Sequence, residues 1–212
     1  LQHAEKMRRY SGFGLYKSLT ASYGKIHEYL GMTINWLTEG VVVFTMYDYL
    51  ESILDEAPSD FDGEDVTPAV KELFSVNVTQ QKLDGPTSDL FHCIVAMFLY
   101  VAKRARPDIQ VAVAFLCKRV KCPNTSDWKK LGRLARYVKA TIHLPLIVRT
   151  DGSGNMVWSI DASFAVHMDM KSHTGYCLTL GTKCPISGLS SQKINTRSST
   201  KAELVGVDDS IA

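Results

Sequence analysis

Three consecutive runs between residues 88 and 142 place apolar side chains at helical spacing, and from Leu144 that spacing gives way to short β-prone runs divided by turns. A chain that changes period once in this way is expected to be α+β, with its helices and its late strands in separate layers. The first run, about 88–105, carries Leu90, Ile94, Met97, Phe98 and Val101, with Ser88 as the expected N-cap. The second follows Arg106 and has Pro107 at its first position, where a missing N–H costs nothing. Its stripe is Ile109, Val113, Leu116 and Val120. The third, from near Ser126 to Ile142, sets Trp128, Leu131, Leu134, Ala135 and Val138 on one face and Lys129, Lys130, Arg133, Arg136 and Lys139 on the other.

The β-prone runs lie at 144–149, 156–165, 175–180 and 184–191, around the turn signals Asp151-Gly152-Ser153-Gly154 and Gly181-Thr182-Lys183. A last helix is expected from Ser199 or Thr200, either of which serves as its N-cap or leaves its N–H groups to a phosphate. Upstream, 24–34 and 41–44 read as two strands of a hairpin whose connection ends Thr38-Glu39-Gly40. A helix at 47–56 turns Leu50, Ile53 and Leu54 to one side, and Pro58 ends it. Residues 58–89 read as an irregular acidic connection. Residues 1–20 are basic through Lys6, Arg8 and Arg9, with Gly12 and Gly14 breaking any helix. These patterns divide the chain into 1–57, 58–143 and 144–212.

Charge is near balance overall but not along the chain. Residues 48–72 hold nine acids against Lys71, and residues 101–139 hold eleven bases against Asp108 and Asp127. The basic block is either a phosphate-facing surface or a solvated helical face. Five cysteines without regular spacing argue against a disulfide framework or a zinc knuckle, and fit an intracellular, cytoplasmic or nuclear setting. Cys93 and Cys117 fall in apolar helical runs and read as core, as do Trp36, Trp128 and Trp158. The longest apolar run, near 94–102, is too short to span a bilayer, so no membrane partner is expected.

Two carboxylates stand out. Asp161 ends the apolar run Val157-Trp158-Ser159-Ile160, and Glu203 lies inside the last helix behind Ser198-Ser199-Thr200. A strand carboxylate and a helix carboxylate are the residue types that frame a divalent-metal site. Lys193 and Arg197, before the same helix, suit a nucleic-acid backbone, and Lys171, Ser172 and Thr174 either touch that backbone or form a turn.

The phrases LYVAKRARPDIQVAVAFL (99–116) and WKKLGRLARYVKATIHLPL (128–146) resemble the region downstream of the polymerase palm in copia-type retrotransposon reverse transcriptases. The upstream GKIHEYLGMTI resembles the strand pair after the palm active site. Asp-Ala-Ser-Phe-Ala at 161–165, Lys-Ser-His-Thr-Gly-Tyr at 171–176 and SSQKINTRSSTKAEL at 190–204 resemble that family's RNase H domain. The resemblance runs from about residue 24 to the end. It implies the end of a palm with a β-hairpin, a three-helix thumb or connection, and a truncated RNase H-like mixed sheet with one helix.

By the same resemblance Asp161 and Glu203 are catalytic ligands of Mg²⁺, and Lys129, Lys130, Arg133, Arg136, Lys139, Lys193 and Arg197 hold an RNA–DNA hybrid or other nucleic acid. The remainder of a polyprotein is the other implied partner. The family's polymerase Tyr-x-Asp-Asp hairpin precedes the 24–34 strand, and neither Asp48 nor Asp208-Asp209 matches it. Its further RNase H carboxylates are expected after residue 212. Neither polymerase activity nor robust RNase H activity is therefore expected from these residues alone. A non-catalytic nucleic-acid-binding remnant, or an interaction module using the acidic 48–72 segment, stays open beside the enzyme reading.

Overall fold

A computed structural model describes residues 23–77, 79–166, 169–180 and 186–211. The basic segment expected at 1–20, and His167 and Cys184, lie outside these residues. The architecture is α+β: two antiparallel sheets with, among the described residues, five α-helices. The first sheet runs β1 (Ile26–Tyr29), β2 (Met32–Thr38), β3 (Val41–Thr45) and β4 (Leu146–Arg149), in that order. The second runs β5 (Val157–Ser163), β6 (His173–Thr179) and β7 (Ile186–Ser191).

Two sequence expectations are corrected at the first sheet. The stretch 24–34 is not one strand but a hairpin in itself, turning at Leu30 (φ 51°) and Gly31 (φ 73°). Left-handed geometry at both central residues matches the right-handed twist of the flanking strands. The run 144–149, grouped by pattern with the late strands, instead pairs with β3, Val42 opposite Val148 and Phe44 opposite Leu146. The mixed sheet expected at the C-terminal end is wholly antiparallel, as short connections between consecutive strands require.

Between β3 and β4 lie α1 (Tyr47–Glu56), α2 (Gly85–Ala102), a 3₁₀ turn (Pro107–Ile109) continued by α3 (Gln110–Cys117), and α4 (Thr125–Ala140). Their stripes meet in one core that includes Leu50, Ile53, Phe91, Ile94, Phe98, Ile109, Leu116, Leu131, Leu134 and Val138. Helix α2 is long and apolar enough by composition to cross a bilayer; here its inner face belongs to this core. Its N-cap is Asp84, not Ser88: the Asp84 carboxylate accepts the Thr87 N–H at 3.0 Å, and Pro86 occupies the first turn. A capping box starts α4, with Asn124 accepting the Ser126 and Asp127 N–H groups and Asp127 accepting that of Asn124.

Helix α5 (Ser199–Ile211) packs on β5 and β6. Gly206 faces the sheet, where a Cβ would make ordinary contact with Ala162 and Thr174 at 3.4 Å. The interior here is polar: among the described residues Ser172, His173, Thr174 and Gln192 are buried, with only Ala162 and Ala202 as buried apolar partners. Cys93 and Trp36 are exposed rather than core, and Trp158 is 42% exposed and stacked on Tyr176. Cys177 is disulfide-bonded, while Cys93, Cys117 and Cys122 are free.

Candidate nucleic-acid and metal site

Asp161 sits near the end of β5, opposite Gly175 of β6. Strand alternation turns its neighbour Ala162 into the α5 interface and Asp161 to the other face. There it lines a groove of about 410 Å³ with Pro107, Gln110, Ser159, Cys177 and Ser187. Gln110 joins the helical unit to this sheet, its amide donating to Ser187 Oγ at 2.9 Å and to Ala102 O at 3.1 Å.

Glu203 lies one turn into α5 and reaches the outer edge of β5, where Oε1 accepts the Ala162 N–H at 3.3 Å. The fold therefore brings the helix carboxylate to the residue next to Asp161. Asp161 is exposed and Glu203 half-buried. Among the described residues no three His, Cys, Asp or Glu side chains form a metal-holding cluster. Two carboxylates offer hard oxygen ligands of the kind Mg²⁺ takes while keeping several waters, so the donor chemistry fits that ion.

Helix α5 opens on Ser198, one residue before the expected caps, with Ser198 Oγ accepting the Lys201 N–H at 3.3 Å. Lys193 and Arg197 are exposed in the connection between β7 and α5. Ser172 and Thr174 are buried: Ser172 Oγ accepts the Ala165 N–H, and Thr174 Oγ1 accepts from Gln192. They order the loops under Lys193 and Arg197 and offer no surface to a ligand. Gln192, missed by sequence reasoning, is 1% exposed and also donates to Ala202 O at 2.7 Å, fastening α5 to the sheet. Its only sequence signal is an uncharged amide directly after a strand of mainly small residues, Ile186–Ser191.

The cationic face of α4 is placed against the acidic connection. Asp65 bridges Arg133 at 2.9 Å and Arg136 at 2.7 Å, and Asp62 meets Lys139 at 2.6 Å. The indole N–H of Trp128 donates to Asp60 at 2.8 Å. Lys130 turns inward, donating to the carbonyls of Leu73 and Ser75 at 2.8 and 2.6 Å and lying 4.3 Å from the Phe115 ring centre. Burial pushes its ammonium below the ordinary lysine range. Lys129 borders a small cavity with Pro68, Val70 and Leu73.

Behind α4, the two phrases that carry the sequence resemblance meet each other. Arg106, 1% exposed, makes a forked contact to Asp108 (2.9 and 2.8 Å) and donates to Thr141 O and Oγ1 (3.0 and 2.7 Å). The Tyr137 hydroxyl donates to the same Asp108 carboxylate at 2.9 Å. This network locks the α2–α3 turn to the C-terminal end of α4; it is scaffold beneath the cationic face.

An uncharacterized mitochondrial protein of Arabidopsis thaliana, AtMg00810, is 31% identical over 183 residues, spanning 85% of this chain and 73% of that protein. The putative transposon Ty5-1 protein YCL074W of Saccharomyces cerevisiae is 25% identical over 191 residues, spanning 89% of this chain and 61% of that protein. No protein-family profile and no solved structure matches the chain.

Proposed function

The chain belongs to the family of the Arabidopsis mitochondrial protein AtMg00810 and is retrotransposon-derived, and from that premise we infer that it is a segment of a copia-type polyprotein that holds an RNA–DNA hybrid by its backbone. In this reading it comprises the end of a reverse-transcriptase palm, the helical thumb or connection, and part of an RNase H domain. The parent reactions are RNA-directed DNA synthesis and Mg²⁺-dependent hydrolysis of the RNA strand. The observation that carries the reading is the Ala162 N–H to Glu203 bond, which sets a helix carboxylate beside a strand-borne Asp161.

Asp161 and Glu203 would hold Mg²⁺, which supplies a lowered water pKa and stabilises a leaving oxygen. Lys193 and Arg197 would meet backbone phosphates at the same end of the sheet, without reading bases. A second reading, a non-catalytic nucleic-acid-binding remnant, is favoured by the strand alternation that turns Asp161 away from the α5 face.

The test is binding of a labelled RNA–DNA hybrid across a salt series, with cleavage followed in the same tubes with Mg²⁺. Backbone holding requires affinity that falls steeply with salt and is insensitive to sequence. The pair Lys193→Ala and Arg197→Ala should weaken it. Salt-independent binding, or none at low salt, rejects the proposal. Mg²⁺-dependent cleavage abolished by Asp161→Asn selects the enzyme reading; binding without cleavage selects the remnant.

A further inference from the structure

The α4 face carries the densest set of cations in the chain, yet Arg133, Arg136 and Lys139 each face a carboxylate of the 58–76 connection. That connection is fastened at its two ends by apolar side chains. Phe61 and Leu73 are each 5% exposed, and both belong to the helical core. Gly132 is the helix position that admits Phe61, since a Cβ there would lie 2.9 Å from its ring.

Between the two anchors the segment is held differently. Asp62, Gly63 and Glu64 are exposed, and Val66 is 92% exposed. Apart from the 3₁₀ turn Ser59–Phe61 and a hydrogen-bonded turn at 71–74, no helix or strand is formed there. Up to Thr67 its grip on α4 is the three ion pairs, together with a 3.4 Å contact from Arg133 to the Thr67 hydroxyl; beyond it Ala69 packs against the helical core. The exposed Asp62–Lys139 pair contributes little, while the two Asp65 pairs, with side chains 17% to 29% exposed, hold more firmly but are still open to water and to screening by salt. A nucleic-acid backbone presents the same charge to the same guanidinium groups, at a density of one phosphate per ~1.7 Å of duplex axis.

We propose that residues 62–67 form an anionic strap that occupies the phosphate-binding face of α4, and that an RNA–DNA hybrid engages Arg133, Arg136 and Lys139 by displacing the strap while Phe61, Ala69 and Leu73 stay seated. This rests on the reading that the chain holds nucleic acid, and it assigns two surfaces: an open one at Lys193 and Arg197, and a covered one on α4.

The test compares the intact chain with Asp62→Asn/Asp65→Asn, which keeps both anchors, and with that variant carrying Arg133→Gln/Arg136→Gln in addition. The probe is a labelled RNA–DNA hybrid, its affinity read by anisotropy over a salt series. Unmasking cations should tighten binding about threefold or more at low salt and steepen the salt dependence by about two to three units. The added arginine substitutions should reverse most of both changes, leaving about one unit of salt dependence from the unmasked Lys139. Unchanged or weaker binding by the strap variant overturns the strap.

Hydrogen exchange on the unsubstituted chain gives an answer that no substitution can confuse. Adding hybrid should raise exchange across 63–67 and leave the hydrogen-bonded amides of Phe61, Asp62 and Leu73 protected. Unchanged or slowed exchange across 63–67 overturns the proposal. Hybrid bound through Lys193 and Arg197 with the strap silent rejects the strap alone, whereas no binding by any variant rejects the nucleic-acid reading with it.

Discussion

Replacing Asp108 by Asn leaves the shape of the Arg106 site almost intact and removes only its negative charge. The guanidinium is 1% exposed and its contacts are Asp108 and the two oxygens of Thr141. With Asn in place, one of the two carboxylate oxygens becomes an NH₂ that faces donors, and a buried cation is left without a counter-charge. Breaking a buried pair from one side costs roughly 3–5 kcal/mol, because the remaining charge is uncompensated. Asp108 is itself 27% exposed, so water reaches one side of the pair and the lower end, about 3 kcal/mol, is expected. The Tyr137 hydroxyl donates only one bond to the same carboxylate, so Tyr137→Phe should cost about 1 kcal/mol.

Urea unfolding followed by circular dichroism of the helices reads both numbers. With a slope of about 2 kcal/mol per molar, Asp108→Asn should lower the midpoint by about 1.5 M. The decisive comparison is Arg106→Met/Asp108→Asn, which removes the charge and its partner together. It should be more stable than Asp108→Asn alone, since a well-packed apolar side chain often replaces a buried ion pair at little cost. A loss under about 0.5 kcal/mol for Asp108→Asn would mean that solvent already compensates Arg106, and the reasoning fails.

Gly132→Ala should destabilise the protein even though alanine favours a helix interior by about 1 kcal/mol, because Phe61 has to leave its seat on α4; equal or higher thermal stability would show that Phe61 yields freely. In the second sheet, Gly188→Ala puts a methyl group into the Tyr176 ring and should disturb its stack on Trp158, visible as a changed tryptophan emission; an unchanged spectrum and melting curve would count against that packing. The Thr87 hydroxyl, then its N–H, hold the Asp84 carboxyl below its ordinary value of 3.8. A depressed carboxyl stabilises the fold fully above its unfolded pKa and loses that contribution as pH falls through the folded one. The stability gap between the intact chain and Asp84→Asn should therefore narrow on acidification from roughly pH 5 to pH 2, and a gap independent of pH would rule the cap out as its source.

The helices were legible because their periodicity is local. The stripe Leu131, Leu134, Ala135 and Val138 needs no partner to be recognised, and it is buried as its spacing implies. The start of α2 was missed because Asp84-Gly85-Pro86 reads as a turn, while the same residues also cap a helix. Leu30 hid the β1–β2 turn, since a branched apolar residue rarely adopts the left-handed conformation it takes here. The pairing of β4 with β3 depends on sequence separation and leaves no local mark. The opposite charge blocks were plain in the sequence, but which carboxylate meets which guanidinium depends on where Phe61 and Leu73 seat the connection. Asp161 and Glu203 were singled out by motif spacing. The Ala162 N–H that joins them is a backbone group, which no side-chain pattern reveals.

Strands β3 and β4 close the first sheet from positions about a hundred residues apart, with the helices strung between them, so their pairing waits on a long loop. The contacts between α2 and α3 within that loop are shorter-range and are expected to form sooner. The β3–β4 ladder thus acts as a clasp on a finished bundle. A nick in the exposed connection beyond Arg149, near Gly152, would leave the clasp shut, whereas a cut between Thr141 and Leu146 would sever β4 from the bundle it fastens.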